Sequence, residues 1–286
     1  MELWISQPST LKEFRKRQFF PALRLADACG LGMVALGAST PYACNYGRLP
    51  RPLDTPSITT GHAATAAMLK QWAIHASEAN GLDFGAIKLA IFGAAGRLGK
   101  AVSRFIGYAE TPSELILIDL PDKLSLLQAL AAEIVANGPR QGPKVSVFGV
   151  DGKRALPAFD GAVLVSSNTV PYLGASDLRR ARFWIDDSHP RAASLEAEEA
   201  TRADTLYIEC YARGPKGLNT EFPFRLPTPG DCYTCFAEGY LAWKENVPGD
   251  FVTGIPDTAT IARVSDLLEE HGFTFGPFCG KSGALI

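Results

Sequence analysis

The stretch Ile87 to Phe105, I-K-L-A-I-F-G-A-A-G-R-L-G-K-A-V-S-R-F, constrains the fold more than any other part of the chain. An apolar run from Leu89 to Phe92 meets glycines at Gly93, Gly96 and Gly99, and Leu98, Val102 and Phe105 then recur at helical spacing. Glycines placed between a strand pattern and a helix pattern have separate tasks. One makes a tight turn, one lets backbone N–H groups approach a pyrophosphate, and one lets the helix sit close to the strand. The helix N-terminus then faces the phosphate charge, which makes Gly93, Ala95, Gly96, Arg97, Leu98 and Gly99 candidate dinucleotide-binding residues. The spacing is G-x-x-G-x-x-G rather than the stricter G-x-G-x-x-G, so the strength of the signal depends on the downstream sequence.

Downstream of the turn, strand and helix patterns alternate. Glu114–Asp119 reads as a second strand, Lys123–Asn137 as a helix, Lys144–Val150 as a third strand and Gly161–Ser167 as a fourth, with Phe183–Asp187 and Thr205–Cys210 as a fifth and sixth. Strands alternating with helices imply an α/β protein with a doubly wound parallel sheet of the Rossmann type, covered on both faces. Asp119 ends the second strand, where an acidic residue accepts hydrogen bonds from adenosine ribose hydroxyls and repels a 2′-phosphate; this favours NAD(H) over NADP(H). Ser166, Ser167 and Asn168 end the fourth strand at the carboxyl edge, where ligands gather, and are expected to line the nicotinamide side.

The residues before the sheet read as a smaller N-terminal α/β lobe. Leu11–Cys29 carries Phe14, Phe19, Phe20 and Leu23 among Lys12, Arg15, Lys16, Arg17 and Arg24, a helical pattern with a basic outer side. That side is either a solvated face or a docking patch for an acidic carrier protein. Leu31–Leu36 reads as a strand and Pro41–Pro56 as an irregular cleft wall. Thr59 and Thr60 can cap a long alanine-rich helix, Ala63–Asn80, that Gly81 closes. His62, at the start of that helix, is a candidate for proton transfer or a structural hydrogen-bonder. Beyond Tyr211 the composition shifts to Gly, Pro and aromatics; Asp231–Glu245 and Asp257–His271 then return to helical spacing. The expected division is 1–80 as substrate lobe and linking helix, 81–212 as the dinucleotide-binding domain, and 213–286 as a C-terminal segment whose helices pack back on the cleft.

Charge and composition exclude several classes. A formal charge of −2 without a basic run offers no electrostatic footprint for nucleic acid or an anionic membrane. No apolar stretch reaches the ~18 residues of a membrane span, and Met1–Thr10 lacks the pattern of a signal peptide. The expectation is a cytoplasmic protein acting on a small molecule. Six scattered cysteines in a chain of 286 residues read as thiols rather than as a disulfide framework.

Cys232 and Cys235 form C-x-x-C, but no second ligand pair stands at zinc spacing and no metal site is expected. Cys235 lies in the first turn of a helix after a Pro-Gly-Asp break, where amides and the helix dipole stabilise a thiolate. A nucleophilic thiolate beside a hydride source suggests attack on an acyl group, an enzyme thioester, and reduction to an aldehyde. Glu238, on roughly the same face, can handle a proton or serve as a structural carboxylate.

The segment Cys235-Phe-Ala-Glu-Gly-Tyr-Leu241 resembles the surroundings of the acyl-accepting cysteine in the cyanobacterial aldehyde-forming long-chain acyl-[acyl-carrier-protein] reductases. Ala35-Leu36-Gly37-Ala38, Thr59-Thr60-Gly61, the turn from Gly93, Val165-Ser166-Ser167, Ile185-Asp186-Asp187 to Pro190, and His271-Gly272-Phe273 run in the same order as in that family. The resemblance covers roughly Phe20 to Phe273. It implies that Cys235 carries the acyl group, that a nicotinamide coenzyme reduces it to a fatty aldehyde, and that an acyl carrier protein or CoA delivers it. The family has a longer N-terminal segment before the point where this chain begins. It uses NADPH with a basic residue after the second strand, whereas this chain has Asp119-Leu120-Pro121. Its G-G-Y-P-K stands here as Asp187-Ser188-His189-Pro190-Arg191, and its asparagine after T-T-G is His62, so His62 and His189 are candidates for a changed proton path. Two alternatives stay open: a dehydrogenase without a covalent step, of the shikimate or methylene-tetrahydropterin type, and a dinucleotide-binding protein without chemistry. A homo-oligomer is compatible with each.

Overall fold

The computed structural model describes residues 8–51, 55–109, 111–150, 156–168, 170–220, 222 and 224–280. The chain opens with α1 (Pro8–Phe14), a π-helical turn (Arg15–Phe19) and α2 (Phe20–Ala28), where the sequence pattern predicts one continuous helix. Phe14 and Phe19 are five residues apart, too far for one face of an α-helix, and the wider turn brings Phe19 inward with Leu23. These side chains close a small core with Leu36, Cys44 and Ile58. It sits on a two-stranded parallel ribbon, β1 (Met33–Ala35) beside β2 (Ser57–Thr59), with the short α3 (Thr40–Ala43) between them.

The linking helix α4 (His62–Ala79) comes next. Ala63, Ala64, Ala66, Ala67, Ala73 and Ala76 are all buried, as expected of a helix apolar on nearly every side. Its small side chains let it lie between later helices and the main sheet.

That sheet is built from β3 (Lys88–Phe92), α5 (Arg97–Tyr108), β4 (Glu114–Asp119), α6 (Leu124–Asn137), β5 (Lys144–Gly149), β6 (Gly161–Leu164), α7 (Ala175–Leu178), β7 (Phe183–Asp186), α8 (Leu195–Thr201) and β8 (Leu206–Glu209). The six strands are all parallel, in the order β5-β4-β3-β6-β7-β8. This is the doubly wound Rossmann arrangement, whose order reverses between β3 and β6 and opens a crevice at their carboxyl ends. Alternation along the strands divides the core. Leu89, Ile91, Leu115, Leu117, Val163 and Ile185 face α4, α5 and α6, while Ala90, Phe92, Ile116, Ile118, Leu164 and Trp184 face the opposite layer. The fourth strand ends at Leu164, so Val165 to Asn168 form a loop rather than strand.

A two-residue pairing of β9 (Ala212–Arg213) with β10 (Asp231–Cys232) leads into α9 (Thr234–Lys244), and α10 (Thr258–Glu270) packs on α4. Helix α9 lies against β1, β2 and α4, so a late segment completes the N-terminal lobe. At Gly239 a Cβ would stand 2.6 Å from that of Ala35, which shows how closely this helix seats on β1.

Candidate functional site

The glycine turn is built as its spacing predicts. Gly93 has φ +81°, and a Cβ there would come within 2.8 Å of the Val165 carbonyl, so the turn presses against the end of β6. A Cβ on Gly99 would lie 2.1 Å from the Gly93 carbonyl oxygen, which admits only glycine where α5 crosses the turn. Gly96 is the N-cap of α5 and has no side chain to satisfy the first-turn N–H groups, which lack intrahelical acceptors. Those N–H groups and the positive end of the helix fit a pyrophosphate.

One residue of the expected set does something else. The Ala95 N–H does not face the phosphate position; it donates to Asp119 Oδ2 at 2.9 Å. The other oxygen, Oδ1, accepts from the Leu120 amide at 2.8 Å. Each carboxylate oxygen keeps a further lone pair for a ribose hydroxyl, and the contact ties the ribose end of the crevice to the glycine turn.

A cavity of about 600 Å³ opens beside the turn. It joins Gly96, Arg97, Leu98, Ser166 and Ser167 from the Rossmann unit with Leu36, Tyr46, Thr60 and His62 from the N-terminal lobe and Tyr233, Thr234 and Cys235 from the segment that leads into α9. His189 and Asp187 also line it, whereas Asn168 is exposed and does not. Ser166 is held through its amide and hydroxyl, each 3.1 Å from Ser188 Oγ.

Cys235 sits in the first turn of α9, wedged against two turns of the N-terminal lobe. A Cβ on Gly61 (φ +78°) would stand 2.3 Å from the Cys235 Cβ, and one on Gly37 would stand 3.4 Å from its Sγ. The thiol is not the stabilised thiolate that the helix position predicts. Burial and then the Asp187 carboxylate push it up to about 11, against hydrogen bonds from the Phe236 and Ala38 backbone that pull it down. Burial likewise raises Cys232 to about 12, so the C-x-x-C pair is no acidic dithiol, and no disulfide joins any of the cysteines.

Glu238 does not line the cavity and is fully buried. Oε1 accepts from the Thr59 hydroxyl and from the Gly61 amide at 2.6 Å, and Oε2 accepts from the Ala63 and Ala64 amides, each at 2.9 Å. Its carboxylate therefore caps α4 from another helix. This corrects the expectation that the threonines cap α4, because Gly61 is the N-cap and makes no side-chain bond. It also corrects the proton-handling expectation for Glu238, whose oxygens are occupied by four donors.

His62 opens α4, with Nδ1 3.4 Å from the Gly254 carbonyl oxygen. Burial lowers its pKa to about 4, the Gly254 hydrogen bond opposes that, and the Arg97 charge adds to it. The ring is neutral at pH 7, and the tautomer that donates to Gly254 leaves Nε2 as an acceptor. Arg97 stacks 4.2 Å from the centroid of Tyr46, which in turn lies 5.6 Å from the His62 ring. His189 is exposed and packs edge-on against Tyr233 at 5.8 Å.

Sequence reasoning missed Thr60 as a site residue, along with Tyr46, Tyr233 and Asp187. Tyr46 lies in a loop with no periodicity, and nothing in its local pattern points to the cavity. Asp187 follows the buried Asp186, whose oxygens accept from Ser188, Ala192 and Tyr207. Only the fold separates the structural aspartate from the one that shares the cavity with the thiol and whose charge acts on it.

No protein-family model matches the chain, nor does any curated protein sequence. Among solved structures, it is similar to a dipicolinate synthase subunit from Bacillus halodurans, with 14% identity, TM-score 0.39, and coverage of 52% of this chain and 47% of that one. It is similar to shikimate 5-dehydrogenase from Listeria monocytogenes, solved with shikimate and NAD, at 13% identity and TM-score 0.36, covering 51% of this chain and 52% of that one. A third likeness is to L-tryptophan dehydrogenase from Nostoc punctiforme, at 13% identity and TM-score 0.39, covering 75% and 52%. The chain spans about half the length of these three proteins. No helix among the described residues is long and apolar enough to cross a membrane.

Proposed function

We propose that the protein is a nicotinamide-dependent oxidoreductase, and that it reduces an acyl thioester to an aldehyde through an acyl group carried on Cys235. The observation that carries this reading is the shared cavity: the N-terminal turn of α5 and the Ser166-Ser167 loop open onto the same space as the Cys235 thiol. A reduced nicotinamide coenzyme bound along that crevice supplies a hydride. Gly96, Arg97 and Leu98 hold its pyrophosphate, and Asp119 accepts from the adenosine ribose. The carboxylate of Asp119 would repel a 2′-phosphate, so NAD(H) is the preferred coenzyme.

Cys235 Sγ attacks the thioester carbonyl carbon and the carrier thiol departs, leaving the acyl group on the enzyme. Because the resting thiol is pushed up to about 11, it needs an acceptor for its proton. Asp187, the carboxylate that shares the cavity with it, fills that role. The delivering thioester is acyl-CoA or an acyl carrier protein, and the exposed Lys12, Lys16, Arg17 and Arg24 suit the latter's acidic surface.

Mass spectrometry after incubation with acetyl-, octanoyl- and palmitoyl-CoA, and with the matching carrier-protein thioesters, tests the covalent step. An acyl adduct on the Cys235 peptide is expected, and its absence at every chain length refutes it. The raised thiol favours a second reading, hydride transfer to a carbonyl without a covalent intermediate. Full turnover by Cys235→Ala selects that one.

A further inference from the structure

We propose that the Thr60 hydroxyl is the hydrogen-bond donor to the substrate's carbonyl oxygen, on the carbon that receives the hydride. This rests on the oxidoreductase reading and holds for either form of it. Thr60 lines the cavity at the exit of β2 and is 1% exposed; its Oγ1, shielded from solvent in this rotamer, has no hydrogen-bond partner among the described residues, and in the proposed complex a turn about Cα–Cβ brings it to the bound carbonyl. A buried hydroxyl left unpaired costs stability, and a bound group that pairs with it recovers the loss.

Four other hydroxyls close to it are already paired. That of Thr59 goes to Glu238, those of Thr65 and Thr234 pair at 2.6 Å, and that of Ser166 lies 3.1 Å from Ser188 Oγ. Several donors around the thiol are also committed. The amides of Gly61, Ala63 and Ala64 serve Glu238, the Ala38 amide serves the Cys235 sulfur, and the Phe236 amide, which also stabilises that sulfur, donates to the Tyr233 carbonyl at 3.0 Å. His62 is neutral, the tautomer that donates to Gly254 leaves its Nε2 an acceptor, and the Arg97 guanidinium lies on Tyr46. Thr60 precedes Gly61, whose Cα lies against Cys235, and its own amide is anchored to the Val252 carbonyl at 3.0 Å. The hydroxyl is therefore held one residue from the point where the N-terminal lobe meets the thiol.

When a hydride reaches the carbonyl carbon, the π pair moves onto oxygen, and a donor placed there stabilises the charge that develops. In the thioester case that pair returns to re-form C=O as the C–S bond breaks. Aldehyde leaves, and the Cys235 thiolate takes a proton. In the non-covalent case the oxygen itself takes a proton.

The test compares wild type, Thr60→Val and Thr60→Ser for NADH oxidation with acetyl-, octanoyl- and palmitoyl-CoA, the matching carrier-protein thioesters and the corresponding aldehydes. Ligand-free Tm is measured alongside. Thr60→Val is expected to lose about 100-fold in kcat with KM changed only a few-fold, and Thr60→Ser to restore most of the rate. The same Thr60→Val change should raise the ligand-free Tm by about 2 °C, because an unpaired buried hydroxyl is replaced by a methyl. Unchanged kcat in Thr60→Val overturns the assignment alone, as does a lowered Tm, which would report a hydroxyl bonded within the fold. Wild-type protein that reduces none of these carbonyls overturns the functional reading and the assignment together.

Discussion

Replacing Glu238 by glutamine probes the contact that joins the two ends of the site. The carboxylate takes four donors, the Thr59 hydroxyl and the amides of Gly61, Ala63 and Ala64, in a place with no solvent exposure. A glutamine has one oxygen. If that oxygen accepts from Ala63 and Ala64, the new NH₂ group faces the Gly61 N–H, and an orphaned buried N–H costs about 1–3 kcal/mol. Loss of the negative charge at the first turn of α4 costs roughly 1 kcal/mol more. Relief from burying a charge works in the other direction, so the net destabilisation should be about 2 kcal/mol. Glu238→Ala, which leaves all four donors open, should lose about 3–5 kcal/mol. Urea unfolding reads both as a lowered midpoint at unchanged m-value. Amide exchange should show protection lost first at Ala63 and Ala64. A glutamine variant within about 0.5 kcal/mol of wild type that nonetheless loses turnover would falsify the capping role and return Glu238 to proton transfer.

Three further outcomes are expected. His62 has a folded pKa of about 4 against an ordinary 6.5, so its contribution is whole above pH 6.5 and is lost as pH falls towards 4. The loss is about 3 kcal/mol; urea midpoints at pH 7.5 and 4.5 should show it in wild type and show it much reduced in His62→Asn. Asp187→Asn removes the charge that raises the Cys235 thiol, so iodoacetamide should alkylate the Cys235 peptide several-fold faster at pH 8; an unchanged rate refutes the pairing. Gly99→Ala places a Cβ 2.1 Å from the Gly93 carbonyl oxygen, and NADH affinity should fall by at least about tenfold while circular dichroism keeps its helical signal.

The Rossmann unit was legible in the sequence because its signals are local. Each strand is an apolar run, and Gly93 and Gly99 stand where only glycine fits, as the close approaches to Val165 and Gly93 show. The N-terminal helix was legible only in part, because the five-residue step from Phe14 to Phe19 needs a π-turn that periodicity alone does not supply. The chemistry of Cys235 was not legible. Its first-turn position argues for a thiolate, but the burial and the Asp187 charge that reverse the argument come from distant elements. Glu238 and Thr60 are similar cases. The partners of one, and the lack of a partner for the other among the described residues, appear only when α9 is laid against the start of α4.

The cap that Glu238 places on α4 also sets an order of events during synthesis. Ala64 leaves the ribosome 174 residues before the carboxylate that its amide will bind. At about 5–20 residues per second, that interval is roughly 10–35 s. By then all six strands of the sheet have been made, while the first turn of α4 still lacks its acceptor. The pocket wall that holds Thr60, His62 and the thiol is therefore set only after the strands of the sheet have been made. A nascent chain halted before α9 should carry a finished sheet and an open, exchange-labile start to α4.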